Sequence, residues 1–307
     1  MSDAIVASSE LAIANGSQSF AAAARLFDKR TREDAVMLYA WCRHCDDVVD
    51  GQTLGHDQQE NYRTEQMHRL DLLRRSTAAA LEGTRVNEPV FEALRRVVDR
   101  HQIPLRHVEE LLTGFEMDVT QRHYETLSDA LDYCYHVAGV VGVMMAMIMG
   151  VRDTRTLDRA CDLGLAFQLT NIARDAVEDA RVGRVYLPAE ILARHGIVAV
   201  DPEDLSQRVA LHAAAVELLD LAESYYRSAY HGLSALPPRS AWAIATARRV
   251  YRAIGGKLRA GGPAAWDKRV STTDMEKSAL LCLALNDVGR TRLARRDVPR
   301  TGLWQRP

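Results

Sequence analysis

The 307-residue sequence has little of several features that would each point to a particular class of protein. It carries five cysteines, an odd number that argues against a framework of disulfide bonds. Lys and Arg number 39 against 41 Asp and Glu, and no basic stripe is interleaved with aromatic residues, so we expect no binding of nucleic acid. The N-terminus, Met1-Ser2-Asp3-Ala4, lacks a positive start and a long apolar stretch, which predicts a cytoplasmic protein without a secretory signal.

Proline is absent from long parts of the chain, with none before Pro89 and none between Pro104 and Pro188. Because proline ends or kinks a helix, these stretches are free to run as helices. Alternating β-branched runs do not recur, whereas Ala, Leu, Arg and Glu recur at helical spacing, as in residues 205–230. The sequence therefore predicts an all-α fold in a single domain that spans residues 1–307.

Local signals predict where some of these helices begin and end. Thr31 with Asp34, and Thr273 with Glu276, have the spacing of capping boxes and predict helix starts. Gly51 and Gly183 each follow an acidic stretch and predict the C-terminal end of the helix that carries it.

Residues 137–151 contain no polar side chain, but fifteen residues fall short of the roughly 20 that a membrane-spanning helix needs. This pattern favours a buried central helix. Gly139 and Gly142 would let a neighbouring helix or a long apolar ligand approach its backbone closely.

The most informative feature is a pair of acidic motifs of the same design. Asp46 and Asp50 are four residues apart, as are Asp175 and Asp179, and an arginine precedes each pair. On a helix the two carboxylates of a pair share one face, about 6 Å apart along the axis, and repel each other. Mg²⁺ would remove this repulsion, since it binds through one or two carboxylates together with substrate phosphates.

The context separates these motifs from chance matches. The first follows the apolar run 36–41 and the second follows 163–167, whereas a purely surface acidic face usually carries Lys or Glu partners. Asp158 and Asp162 form a third D-x-x-x-D without such features, and we interpret it as a solvated helix face. Cys42, His44 and Cys45 suggest zinc or redox chemistry, but no second ligand pair completes a site, so buried helix residues are favoured.

Four segments carry a resemblance to a known family. Residues 168–179 (QLTNIARDAVED) and 183–188 (GRVYLP) closely resemble the signature of the squalene and phytoene synthase family. Residues 39–47 (YAWCRHCDD) and 133–139 (YCYHVAG) match its other hallmarks. The resemblance covers almost the whole chain and is nearest to the bacterial phytoene synthases of carotenoid biosynthesis.

The resemblance implies a single-domain isoprenoid synthase-type helical bundle around a central cavity, with the two motifs facing each other. Asp46 and Asp50 would hold Mg²⁺, with Mn²⁺ as the alternative, against one diphosphate. Asp175 and Asp179, together with Asn171, would hold it against the other.

The resemblance assigns further residues to the substrate. Arg43 and Arg174 would contact diphosphate oxygens, a geometry that guanidinium groups suit. Ser17 and Ser19 match a segment near the diphosphates, although Gly16 stands where relatives that make dehydrosqualene carry histidine. The remaining matches are cavity positions expected to steady carbocations or the departing group: Tyr133, Gln168, Tyr186 and Tyr251.

The implied activity is head-to-head condensation of two geranylgeranyl diphosphates, through a cyclopropyl diphosphate, to phytoene, with release of diphosphate and without NADPH. Dehydrosqualene synthesis from farnesyl diphosphate is the main alternative, and a non-catalytic helical adaptor of the same fold is another. A di-iron bundle needs two Glu-x-x-His motifs, and the chain offers one, at residues 65–68.

The C-terminus is rich in arginine. Residues 290–307 contain six arginines and a single acidic residue, Asp297. They also contain the apolar pair Leu303-Trp304. This composition predicts a basic tail in peripheral contact with anionic lipid at the inner face of the membrane, with a solvated tail as the alternative. Other carotenoid-pathway enzymes are the expected protein partners.

Overall fold

The computed structural model describes residues 4–16, 23–51, 62–84, 86–293 and 298–307. Every regular element in these residues is helical, which confirms the predicted all-α fold. The α-helices are α1 (Ala4–Gly16), α2 (Lys29–Asp50), α3 (Gln66–Leu81), α4 (Pro89–His101), α5 (Leu105–Val119), α6 (Leu127–Cys134), α7 (Val140–Ile148), α8 (Thr154–Arg181), α9 (Ala189–Arg194), α10 (Arg208–Gly232), α11 (Pro238–Gly261) and α12 (Asp274–Leu293). A π-helix, Tyr135–Gly139, joins α6 to α7.

The chain divides into two compact units, residues 1–120 with 144–152, and residues 121–143 with 153–307. In the first unit α2 packs against α1, α3, α4 and α5. In the second unit α8 packs against α10, α11 and the π-helix. Each unit therefore has one long helix that carries an acidic motif, and the single domain over residues 1–307 stays a prediction.

Helix α2 begins three residues earlier than the sequence suggested. The side chain of Asp28 accepts the backbone N–H of Thr31 (3.1 Å), so Asp28 is the N-cap and the predicted Thr31–Asp34 capping box is wrong. Asp34 is instead fully buried, where its carboxylate pairs with Arg100 (2.5 Å) and His101 (2.8 Å) of α4. A buried carboxylate needs such partners, and only the tertiary structure supplies them.

The other predicted helix ends are confirmed. Gly51 ends α2 with a left-handed φ of 61°, and Gly183 follows α8 with a φ of 75°. Thr273 and Glu276 form the reciprocal pair of hydrogen bonds that opens α12.

The apolar stretch forms the π-helix and α7, as predicted for a buried helix. Val140, Val143 and Met144 are fully buried. The helical run Leu127–Ile148 is long and apolar enough to cross a membrane by length and composition, but most of it is covered by the protein itself. Buried core helices meet the same criterion.

Glycines bring α8 into direct backbone contact with this stretch. A Cβ added to Gly142 would overlap the carbonyl oxygen of Ala160, which confirms the predicted close approach. The partner glycine was not predicted: a Cβ on Gly164 would overlap the carbonyl oxygen of Ala138. Each of these two glycines therefore lets the facing backbone approach to a distance that a Cβ would prevent.

Candidate active site

The first acidic motif occupies the last turns of α2. Trp41, Cys45 and Val49 form its fully buried face, and Asp46 and Asp50 lie on the half-buried side. The five cysteines of the chain are all free, and burial raises the pKa of Cys42 to about 12. Both Cys42 and Cys45 lie on α2, where Cys45 is buried as predicted and Cys42 is half-buried.

Arg43 supplies a cation to this motif. Its Nη1 lies 2.9 Å from Asp46 Oδ2, and its Nε donates to Asp47 Oδ1 over 2.9 Å. Asp47 was not among the predicted site residues. Arg43 therefore offsets part of the repulsion between the carboxylates of this motif.

Negative charge still accumulates around Asp46. Burial among neighbouring atoms, together with Asp50, Asp47 and Asp118, raises the pKa of Asp46 to about 7 against the opposing effect of Arg43. The side chain nevertheless keeps 42% of its surface exposed. It is thus closely surrounded by protein yet open to a ligand, a setting that favours a divalent cation.

Side chains from α3 hold the end of α2 in place. Gln66 Nε2 donates to the carbonyl of Val49 (3.2 Å), and Arg69 Nε donates to that of Val48 (2.8 Å). The last carbonyls of a helix have no partner within the helix and attract positive charge. These two residues, which sequence reasoning missed, therefore fix the turn that carries Asp46 and Asp50.

The second motif lies along α8, whose buried side includes Leu169, Ile172, Ala173 and Ala176. A half-buried stripe with helical spacing runs along the other side: Gln168, Asn171, Asp175 and Asp179. The structure thus places these four predicted residues along one side of one helix.

Two arginines approach the second motif. Arg174 Nε donates to Asp175 Oδ1 over 2.7 Å, and a second contact joins its Nη2 to Asp175 Oδ2. Arg269 Nη2 lies 3.4 Å from Asp175 Oδ2, and its Nη1 lies 3.6 Å from Glu178. Arg269 follows the motif by 94 residues, and no local pattern in the sequence links it to Asp175.

Asn171 contributes a buried oxygen to this side of α8. Its Nδ2 donates to Gln168 Oε1 (3.3 Å), whereas its Oδ1 accepts no hydrogen bond from the described residues. Within the described ranges, no three His, Cys, Asp or Glu side chains are grouped to hold a metal ion by themselves. Amide and carboxylate oxygens that share Mg²⁺ with water and phosphate do not need such a group, so the residues present fit this mode of binding.

Two aromatic pairs include the predicted tyrosines. Tyr251 of α11 stacks on Phe167 of α8, with ring centroids 4.2 Å apart. Burial raises the pKa of Tyr251 although Arg174 opposes the shift, so its hydroxyl stays protonated. Tyr133 of α6 stacks on Tyr186, at 4.9 Å and 17° between the planes, because the loop after Gly183 returns towards α6.

The third D-x-x-x-D is not the solvated face that we expected. Asp162 is fully buried, and its carboxylate binds Arg300 (Nη2 to Oδ1, 2.6 Å) and accepts a hydrogen bond from Ser228. Asp158 binds Arg306 Nε over 2.7 Å. These carboxylates anchor the C-terminal segment, residues 298–307, to α8.

This anchoring corrects the prediction of a basic tail. Arg300 and Arg306 are occupied by acidic partners, and the ring of Trp304 packs on Tyr135 at 5.5 Å. Residues 294–297 lie outside the described residues, as do Ser17 and Ser19 of the predicted substrate site. The last ten residues thus form part of the second unit, and both of their arginines are paired. The membrane contact of residues 290–307 stays a prediction.

The helical fold and the two aspartate motifs define a protein of the isoprenoid synthase type. Residues 13–276 match the squalene/phytoene synthase family, and the chain belongs to this family.

Individual relatives agree with this assignment. The chain is 53% identical to a 15-cis-phytoene synthase from Paracoccus sp., over 100% of this chain and 99% of that protein. It is 52% identical to a 15-cis-phytoene synthase from Pantoea ananas, over 96% of each. A crystal structure of a dehydrosqualene synthase superposes with a TM-score of 0.81 at 29% identity, covering 93% of this chain and 97% of that one. The resemblance drawn from the motifs is therefore confirmed.

Proposed function

We propose that this protein is a phytoene synthase that condenses two geranylgeranyl diphosphates head to head and releases diphosphate. The carrying observation is the stripe on α8, where the unpartnered oxygen of Asn171 lies on the same side as Asp175 and Asp179. Diphosphate with Mg²⁺ is the ligand chemistry that this donor set suits. The similarity to bacterial phytoene synthases over nearly the whole chain supports the choice of reaction.

Each motif would hold one diphosphate. Asp46 and Asp50 serve one, and Asp175 and Asp179 with Asn171 serve the other, through Mg²⁺ or, as the alternative, Mn²⁺. The bound ion neutralises diphosphate charge and so makes it a better leaving group.

Arg43 and Arg174 lie beside the carboxylates of the two motifs. Their guanidinium groups would also donate to diphosphate oxygens, a geometry that suits them.

The aromatic side chains would stabilise cations formed on the hydrocarbon part of the substrate. Ring faces attract cations, so the Tyr133–Tyr186 stack and the ring of Tyr251 would stabilise the allylic and cyclopropylcarbinyl cations without competing as nucleophiles. Gln168 accepts a hydrogen bond from Asn171 Nδ2 and would hold the amide of Asn171 in place beside the motif. The last cation loses a proton, and the proposal includes no nicotinamide.

The first test is a product analysis with purified protein. Geranylgeranyl diphosphate and farnesyl diphosphate are supplied separately, with Mg²⁺ or with EDTA, and the hydrocarbons are identified by chromatography and mass. We expect phytoene from the longer substrate with Mg²⁺ and none with EDTA. A thirty-carbon product alone would reassign the protein to dehydrosqualene synthesis. A reduced product on addition of NADPH would refute the prediction that the reaction uses no nicotinamide. If folded protein forms no hydrocarbon, the non-catalytic adaptor is favoured.

We further propose that the protein is cytoplasmic and associates peripherally with anionic lipid at the inner face of the membrane, where other carotenoid-pathway enzymes would take up its insoluble product. Helix α12 supports this better than the anchored C-terminus, because Met275 and Leu283 are exposed on it and Arg290 is exposed near its end. Exposed apolar and basic residues together favour an anionic interface.

Flotation with anionic and with neutral vesicles tests this location. We expect the protein to float with anionic vesicles, and the double variant Met275→Asp, Leu283→Asp to float several-fold less. Leu205→Asp, at an exposed leucine outside α12, is the control and should float like the wild type. Equal flotation of all three proteins would refute the proposal.

A further inference from the structure

We propose that Tyr124 is a positioning residue that holds Tyr133 and Tyr186 in their stacked arrangement. Nothing in the sequence singled out Tyr124, which lies between α5 and α6. The inference rests on the proposed function, since it concerns the aromatic pair that would steady the cations.

Tyr124 packs against both members of the stacked pair. Its ring centroid lies 5.1 Å from that of Tyr133, at 49° between the planes, and 6.0 Å from that of Tyr186, at 32°. Tyr124 and Tyr133 are each 4% exposed, whereas Tyr186 is half-buried. The ring of Tyr124 therefore packs against both stacked rings, and Tyr186 is the most exposed member of the cluster.

Backbone hydrogen bonds join the same two segments. The carbonyl of Tyr124 accepts the N–H of Ala189 (2.8 Å), and that of Glu125 accepts the N–H of Glu190 (3.0 Å). The carboxylate of Glu190 in turn accepts the N–H of Leu127 (2.6 Å). The segment that leads into α6 is thus tied to the start of α9.

This tie determines where Tyr186 can lie. Tyr186 is three residues before Ala189, in the connection from α8 to α9, and its ring has to meet α6 from there. Thr126 and Asp129 form a capping box that fixes the start of α6, and therefore the direction from Tyr124 to Tyr133. The backbone brings the segments together, and the ring of Tyr124 fills the space between the two other rings.

Removing this ring should change the reaction more than the binding of substrate. An error of about 1 Å in the position of a catalytic group can cost about a hundredfold in rate. Diphosphate binding depends on the acidic motifs and arginines, which this change leaves intact. We therefore expect Tyr124→Leu to lower kcat by about 10- to 100-fold, with KM for geranylgeranyl diphosphate within about threefold of the wild type.

Two matched variants separate positioning from folding. Tyr124→Phe keeps the ring and should restore kcat to within about threefold of the wild type. Tyr225→Leu removes an equally buried tyrosine of the same unit outside the cluster, and should destabilise the protein while leaving kcat of the folded enzyme unchanged. A wild-type kcat in Tyr124→Leu, a loss in Tyr124→Phe as large as in Tyr124→Leu, or an equal loss in Tyr225→Leu would each overturn the proposal.

A double-mutant cycle provides a readout that does not depend on activity. If Tyr124 supports Tyr186, the combined loss of unfolding free energy in Tyr124→Leu, Tyr186→Leu should be smaller than the sum of the single losses. Additive losses would overturn the proposal. If the wild type forms no phytoene, the proposed function fails, whereas the cycle still decides whether the two rings are coupled.

Discussion

Asp175→Asn should lower the rate of phytoene formation by about a thousandfold, in line with the loss of a preorganised charge at a reacting diphosphate. Asp175 lies at the centre of the second motif, between Arg174 and Arg269 and one turn from Asn171. Asparagine keeps the size of the side chain but removes the charge that the metal would bind. The measurement is kcat at saturating geranylgeranyl diphosphate over a series of Mg²⁺ concentrations, with circular dichroism to verify folding.

The same helix offers a matched control. Asp158 also belongs to a D-x-x-x-D motif on α8, but its carboxylate binds Arg306 of the C-terminal segment. Asp158→Asn should therefore lower thermal stability and keep the wild-type kcat. Activity of Asp175→Asn within tenfold of the wild type, or equal losses in both variants, would contradict the role given to the second motif.

Gly164→Ala should destabilise the protein by about 3 kcal/mol and lower its Tm by roughly 6 °C, since overpacking at a rigid contact forces backbone shifts. The added Cβ would overlap the carbonyl of Ala138 and come within 2.7 Å of the Cα of Gly139. Both neighbours are backbone atoms of the π-helix and cannot turn aside as a flexible side chain would. Calorimetric melting and chemical denaturation measure the effect.

Gly289→Ala is the corresponding control. Gly289 lies within α12, and a Cβ there meets no atom of the described part of the chain within 4 Å. Alanine favours a helix by about 1 kcal/mol over glycine, so this variant should be as stable as the wild type or slightly more stable. A Gly164→Ala variant with the same Tm as the wild type would show that α8 and the π-helix can move apart at little cost in free energy.

Predictions from the sequence were confirmed where they depend on residues close together along the chain. The spacing of the aspartates predicted one shared helix face, and the stripe on α8 has that geometry. Gly51 and the Thr273–Glu276 capping box mark helix ends as expected, because both depend on residues within one turn. The family motifs are equally local, and the comparisons confirm them.

Predictions failed where a partner lies far along the chain. Asp34 has the spacing of a helix cap but is buried against α4. Asp158 and Asp162 resemble a solvated face but bind arginines more than 130 residues away. Two arginines of the predicted basic tail, Arg300 and Arg306, are held by these carboxylates.

The sequence by itself determined the helical class, the two acidic motifs and the family, because helix periodicity and motif spacing are properties of neighbouring residues. Only the tertiary structure decided how each charge is used, since burial and distant partners determine whether a carboxylate is solvated, paired or available to a ligand. The three aspartate pairs, which have the same spacing, show this difference. Two lie half-buried beside arginines, and the third anchors the C-terminal segment.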